Sequence, residues 1–165
     1  MSLFDTETLR EAGRILELCR KDGMKLAAAE SCTGGLIAAC LTEIAGSSDV
    51  FDCGFVTYSN FAKQELLGVN YDTLAAFGAV SRQTALEMAR GALMHSHASL
   101  SVAVTGIAGP GGGTAEKPVG LVYIAAIRKG REPICHEFQF SGLSREMVRQ
   151  AALRQALTML LRLLA

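Results

Sequence analysis

A serine stands in a glycine-rich turn where an apolar strand gives way to a helix. Residues 29–35 read Ala-Glu-Ser-Cys-Thr-Gly-Gly. The apolar residues 26–29 predict the strand, and residues 34–44 predict the helix. Backbone N–H groups at a helix start are unpaired and lie at the positive end of the helix macrodipole. Ser31 therefore occupies a place where a nucleophile is useful.

The oxyanion produced by an attack of Ser31 would meet backbone donors already in position near Thr33, Gly34 and Gly35. The two glycines also let a ligand or another backbone approach closely. The alternative is that Ser31 or Thr33 is an ordinary helix N-cap, a role that serine and threonine commonly have.

A lysine can serve as the base that a serine nucleophile needs. Residues 56–63 read Val-Thr-Tyr-Ser-Asn-Phe-Ala-Lys. Burial or nearby positive charge can lower the pKa of Lys63 towards neutrality, and the hydroxyl of Tyr58 can relay a proton. The chain has three histidines, and a Ser-His-Asp triad is possible only through His136. Read without other information, Lys63 would be an exposed helix residue and Tyr58 a strand residue with a solvated hydroxyl.

A second glycine-rich segment, residues 105–120, follows a buried strand predicted over 100–104. Open α/β sheets bind ligands at such strand ends, and glycines let main-chain N–H groups converge on an anion. A flexible connection between strands is the alternative. The spacing matches neither a P-loop nor a dinucleotide-binding fingerprint. The candidate anion-binding residues are Thr105, Gly106, Gly109, Gly111, Gly112 and Lys117.

Composition limits the classes of function. The 165 residues suit one domain, and 16 acidic side chains balance 16 basic ones, which disfavours nucleic acid as a partner. No apolar run is long enough to span a membrane, and the N-terminus lacks a signal-peptide pattern, so a cytoplasmic protein is expected. The five cysteines contain no C-x-x-C pair, which argues against a disulfide framework and a zinc site. No metal or cofactor is expected.

The order of predicted elements indicates the fold class. Helices alternate with strands at first, and a hairpin comes late. This order predicts an α/β fold, a three-layer α/β/α sandwich with a mixed sheet, as a single domain over 1–165. Helices are predicted over 9–19, 34–44, 61–67, 73–77, 81–94 and 144–164, and strands over 26–29, 54–58, 100–104, 119–127 and 133–140.

The predicted C-terminal helix carries more apolar surface than one core-facing stripe uses. Because an unused stripe commonly marks an interface, we expect a homo-oligomer, most simply a dimer. The residues that suggest it are Met147, Ala151, Leu157, Leu160, Leu161 and Leu164.

Several motifs in one order resemble the CinA C-terminal domain family, the nicotinamide mononucleotide deamidases, in its stand-alone form. The resemblance covers nearly the whole chain. Its motifs are Ala-Glu-Ser-Cys-Thr-Gly-Gly (29–35), Gly-Ser-Ser (46–48), Val-Thr-Tyr-Ser-Asn-x-x-Lys (56–63), Leu-Leu-Gly-Val (66–69), Gly-Ala-Val-Ser (78–81), Val-Thr-Gly-Ile-Ala-Gly-Pro-Gly-Gly-Gly (104–113) and Lys-Pro-Val-Gly (117–120).

The resemblance implies hydrolysis of the carboxamide of nicotinamide mononucleotide to nicotinate mononucleotide and ammonia, without a metal. It implies Ser31 as nucleophile, with Tyr58 and Lys63 completing the catalytic group. Asn60, within the same motif as these two, is a substrate-binding candidate. Glu30 orients Lys63 or an active-site amide, or is a surface carboxylate. The rival hypothesis is a non-catalytic nucleotide-sensing or competence-associated interaction module on the same fold.

Overall fold

Five strands form one mixed sheet in the computed structural model, which describes residues 2–165. The strands lie in the order β2-β1-β3-β4-β5. β1 pairs in parallel with both β2 and β3, and the last two pairings are antiparallel. The late hairpin and the mixed sheet are therefore confirmed. The strands are β1 Leu26–Glu30, β2 Phe51–Val56, β3 Leu100–Gly106, β4 Leu121–Arg128 and β5 Ile134–Gln139.

Six α-helices cover the sheet, and a side-chain oxygen caps the start of most of them. Asp5, Ser59, Asn70, Ser81 and Ser144 accept hydrogen bonds from the first turns of α1, α3, α4, α5 and α6, which satisfies donors that a helix start leaves free. The helices are α1 Thr6–Lys21, α2 Leu36–Thr42, α3 Asn60–Leu67, α4 Tyr71–Phe77, α5 Arg82–Met94 and α6 Arg145–Leu164.

The sheet buries both of its faces, because successive side chains of a strand point to opposite sides. Leu26, Val102 and Ile124 belong to the core cluster that also contains residues of α1, α2 and α6. Ala27 and Ala103 belong to the cluster on the other face, with residues of α5. The three-layer α/β/α sandwich is confirmed.

Close contact between α3 and α5 determines the position of Lys63. Leu67, the last residue of α3, is buried in the same cluster as α5. A Cβ atom at Gly91 of α5 would overlap the carbonyl group of Leu67, so the absence of a side chain there allows the two helices to approach. Lys63 lies one turn before Leu67 on the same helix and is buried.

Among the differences from the sequence predictions, two concern β2 and α6. β2 begins at Phe51, three residues before the predicted strand, because an edge strand that is only half buried carries a weak alternation of apolar residues. In α6, Leu157 and Leu160 are fully buried in the main core. The inference of an unused apolar stripe on this helix was therefore wrong, and Met147 is its widely exposed member at 52%.

None of the helices in residues 2–165 combines the length and the apolar character that a membrane crossing requires.

Candidate active site

Ser31 is the first residue of the five-residue turn that joins β1 to α2. Its N–H donates to the carbonyl of Val104 on the neighbouring strand, at 2.9 Å. From α6, Arg149 donates to the carbonyl oxygens of Cys32 and Thr33, each at 3.1 Å. The turn is thus fixed from both sides, and Ser31 is buried with 8% of its surface exposed.

Glu30 supplies the cap of α2. Its carboxylate is buried and accepts hydrogen bonds from the N–H groups of Gly35, Ile37 and Ala38 at 3.0, 3.1 and 2.9 Å. The helix N-cap is Gly35 at φ 103° and makes no side-chain cap, so the alternative of Ser31 or Thr33 as N-cap was wrong. Glu30 is also not a surface carboxylate and makes no hydrogen bond to Lys63, because its oxygens face the amides of the turn and helix.

Because of these contacts, the backbone N–H groups that are free to bind an oxyanion differ from those predicted. The N–H of Gly34 donates to the carbonyl of Ser31 at 3.0 Å, and the N–H of Gly35 is taken by Glu30. Among residues 2–165, the N–H groups of Cys32 and Thr33 have no acceptor on another residue. The free donors beside the nucleophile therefore lie one or two residues after Ser31, earlier than two of the three predicted.

Lys63 lies against the serine. Its Nζ is 2.9 Å from Oγ of Ser31 and 2.8 Å from the carbonyl oxygen of Thr57. The side chain is 1% exposed, and no carboxylate forms an ion pair with it in the described chain. Burial therefore lowers the pKa of Lys63 to about 8. The expectation of an exposed helix residue was wrong, and an amine with this pKa is partly neutral near pH 7.5.

Tyr58 lies apart from this pair. It is 60% exposed, and its hydroxyl accepts a hydrogen bond from Arg145 at 2.8 Å. The same guanidinium donates to the carbonyl of Gly109 at 2.8 Å. Tyr58 makes no hydrogen bond to Ser31 or Lys63, so the structure does not bring the predicted proton relay together in this state.

The serine and lysine lie in a cavity of about 270 Å³. Most of the predicted residues line it, but Glu30, Thr33, Gly34, Gly35 and Lys117 do not. Lys117 instead donates to the carbonyl of Phe77, outside the cavity. The lining residues are Ser31, Cys32, Tyr58, Asn60, Lys63, Ala79, Val80, Thr105, Gly106, Ile107, Ala108, Gly109, Gly111, Gly112 and Arg145.

Thr105 lines the cavity and holds part of its wall in place. Its hydroxyl donates to the carbonyl of Ala79 at 2.8 Å, which fixes the segment between α4 and α5 against the end of β3. This hydroxyl is buried and already paired, so its visible role is to hold the cavity wall.

The sequence interpretation missed Arg145, which lines the cavity from the first turn of α6. It lies 87 residues from Tyr58 in the chain, and no local motif marks it. Lys63 and Arg145 are the ionisable cations on the wall, and no Asp or Glu of the described chain lines it. The site is therefore electropositive. Within residues 2–165, no three His, Cys, Asp or Glu side chains are grouped as metal ligands would be.

Comparison with known proteins identifies the family. The family model of the CinA C-terminal domain matches residues 9–164, and the chain belongs to this family. Over 130 residues it is 55% identical to a protein of Enterobacter agglomerans named nicotinamide-nucleotide amidohydrolase PncC. The aligned region covers 79% of each chain.

Two further relatives define the extent of the match. The crystal structure of the competence/damage inducible protein CihA from Agrobacterium tumefaciens is 55% identical and covers 99% of both chains, with a TM-score of 0.97. A competence-damage inducible protein of Caldicellulosiruptor saccharolyticus is 49% identical over 94% of this chain. The present chain spans 37% of the length of that relative.

Proposed function

We infer that this chain hydrolyses the carboxamide of nicotinamide mononucleotide, giving nicotinate mononucleotide and ammonia, as a step of pyridine nucleotide salvage. The observation that carries the inference is the contact of 2.9 Å between the buried amine of Lys63 and Oγ of Ser31 on the wall of an electropositive cavity. The amidohydrolase name of a relative at 55% identity supports the same substrate.

In the proposed mechanism, neutral Lys63 takes the proton of Ser31 as Oγ attacks the amide carbon. The negative charge on the former carbonyl oxygen is stabilised by the N–H groups of Cys32 and Thr33. When the C–N bond breaks, the lysine ammonium returns its proton to the leaving nitrogen, and ammonia departs. Water then attacks the acyl ester with Lys63 again as base, which releases the carboxylate and restores the serine.

The depth of the cavity orients the substrate. Ser31 and Lys63 are buried, so the amide lies at the closed end, whereas Gly111 and Gly112 are exposed at the mouth. The apolar side chains of the wall, with Val80 and Ile107 among them, suit the pyridine ring. The phosphate then lies towards the glycine-rich segment, whose main-chain N–H groups suit an anion.

Self-association and location complete the proposal. We expect a homo-oligomer, now because of individual exposed apolar side chains and not because of an unused apolar stripe on α6. Val56, Phe61 and Met147 are 50%, 67% and 52% exposed, and such apolar side chains favour contact with a second copy. Light scattering that returns the monomer mass of 17.5 kDa at micromolar concentration would contradict this.

A phosphorylated substrate that cannot cross membranes unaided is consistent with a cytoplasmic enzyme.

Ammonia release from nicotinamide mononucleotide tests the function directly. The purified chain should release one ammonia for each nicotinate mononucleotide, measured by a coupled ammonia assay and by chromatography. A Ser31→Ala variant should release neither while it retains the far-ultraviolet circular dichroism of the wild type. Tight binding of the nucleotide without turnover by the wild type would favour a non-catalytic binding module instead.

A further inference from the structure

We propose that Arg145 is the specificity residue of this site, and that its guanidinium binds the anionic phosphate end of the substrate. The proposal rests on the function above and deepens it, because it assigns the preference for a phosphorylated nucleotide to one side chain. The sequence suggested Lys117 for this role. In the structure, however, Arg145 lines the cavity and Lys117 does not.

The charges of the cavity wall support this assignment. Its ionisable cations are Lys63 and Arg145, and no Asp or Glu of residues 2–165 lines it. The contacts of Lys63 with Ser31 and Thr57 hold its amine beside the nucleophile. Arg145 is therefore the cation that is left to meet a second charged group of a ligand.

The position of Arg145 fits the far end of a bound nucleotide. Lys63 is 1% and Ser31 8% exposed, whereas Arg145 and its partner Tyr58 are exposed. A substrate whose amide reaches Ser31 must leave its opposite end near the mouth. Exposed Gly111 and Gly112 lie on the same wall, so backbone N–H groups and a guanidinium would meet one phosphate.

The hydrogen bonds of Arg145 leave its charge uncompensated. Two of its N–H groups donate to neutral acceptors, the carbonyl of Gly109 and the hydroxyl of Tyr58, and no carboxylate pairs with it in the described chain. A guanidinium has five N–H donors in a planar fork that matches a phosphate. A phosphate adds a full negative charge and a bidentate geometry that the Tyr58 hydroxyl lacks, so it can replace Tyr58 or add to it.

Lys117 provides a matched control, because it is a second cation beside the same glycine-rich segment. Its Nζ donates to the carbonyl of Phe77, and the residue does not line the catalytic cavity. Removal of this amine should loosen the contact between the segment and α4 without removing a contact to the phosphate.

The test compares two substrates that differ only in the phosphate, nicotinamide mononucleotide and nicotinamide riboside. The measured quantity is the ratio of kcat/KM for the mononucleotide to kcat/KM for the riboside. In Arg145→Ala this ratio should fall about 10- to 100-fold, mainly through KM for the mononucleotide. Arg145→Lys should recover part of it, and Lys117→Ala should keep the wild-type ratio.

Equal losses on both substrates in Arg145→Ala would overturn the proposal, since they would show that Arg145 acts through the placement of Tyr58 or Gly109. Calorimetric titration with nicotinate mononucleotide gives a readout independent of turnover, and Kd should rise about 10- to 100-fold in Arg145→Ala. An unchanged Kd would also overturn it. A wild type that binds this nucleotide through Arg145 but releases no ammonia from either substrate would contradict only the proposed hydrolysis.

Discussion

Lys63 and Ser31, which are 32 residues apart in the chain, lie with Nζ and Oγ 2.9 Å apart. The remaining contact of Nζ is the carbonyl oxygen of Thr57 at 2.8 Å. Both partners are neutral oxygen atoms, so nothing in the described chain compensates the buried charge of a protonated lysine. Burial lowers the pKa of this amine to about 8, so we expect both the activity and the free energy of unfolding to depend on pH around this value.

The rate should follow the deprotonation of Lys63. Because only the neutral amine can accept the proton of Ser31, kcat/KM should rise with pH through about 8 and level off above it. Lys63→Met should reduce kcat/KM about 10³-fold. Lys63→Arg, which keeps the charge and the N–H donors but does not deprotonate in this range, should be similarly inactive. A pH-independent rate or an active Lys63→Arg variant would refute Lys63 as the base.

The same pKa predicts how stability depends on pH. The pKa of Lys63 is lower in the folded state than in the unfolded chain, where it has its ordinary value of 10.5. Between about pH 8 and 10.5 the unfolded state binds more protons, so the free energy of unfolding rises with pH. Relative to Lys63→Met, the wild type should gain about 1 to 3 kcal/mol over this interval.

Urea unfolding of both proteins at several pH values between 7 and 10.5 measures this difference. Below pH 8 the difference should be constant, because Lys63 is protonated in both states. Lys117→Met is the control, since Lys117 lies nearer the surface, and it should show no comparable rise. Parallel curves for wild type and Lys63→Met would mean that the buried amine has an ordinary pKa.

Ser31, and not its neighbour Cys32, should be the nucleophile. Both line the cavity, but burial raises the pKa of the Cys32 thiol to about 11, and the thiolate is the reactive form of cysteine. Ser31→Ala should lose almost all activity, whereas Cys32→Ala should keep most of it. Iodoacetamide should leave the native protein largely active. An active Ser31→Ala with an inactive Cys32→Ala would make this a cysteine amidase.

Glu30 should act as a positioning residue for the nucleophile turn. Glu30→Ala leaves the N–H groups of Gly35, Ile37 and Ala38 without their acceptor, which should lower the free energy of unfolding by about 2 to 4 kcal/mol. Glu30→Gln, which keeps one acceptor oxygen, should lose less.

A pH profile separates this role from a catalytic one. Because Glu30 does not contact Lys63, the midpoint of the kcat/KM profile in Glu30→Gln should stay near that of the wild type, even where kcat falls. A shifted midpoint would show that Glu30 acts on the protonation of Lys63. Wild-type stability in Glu30→Ala would show that the cap contributes nothing.

Most of the fold could be predicted from local patterns. The α/β class, the late hairpin and helices such as α5 follow from periodicity, glycine placement and N-cap residues such as Ser81 and Ser144. Predictions failed where the local pattern of apolar residues does not reflect how deeply the element is buried. β2 is a half-buried edge strand, and the apolar surface of α6 is consumed by packing in the main core rather than left for a partner.

The sequence alone determined the residue types of the site and the family resemblance, because motifs such as residues 29–35 and 56–63 are contiguous and short. Only the tertiary structure decided which of these residues meet. The local course of the turn directed Glu30 to the helix amides, and contacts between distant segments brought Lys117 to Phe77 and Arg145 to the cavity wall. Burial of Lys63 without a carboxylate is likewise a product of packing, since desolvation depends on every segment that surrounds the amine.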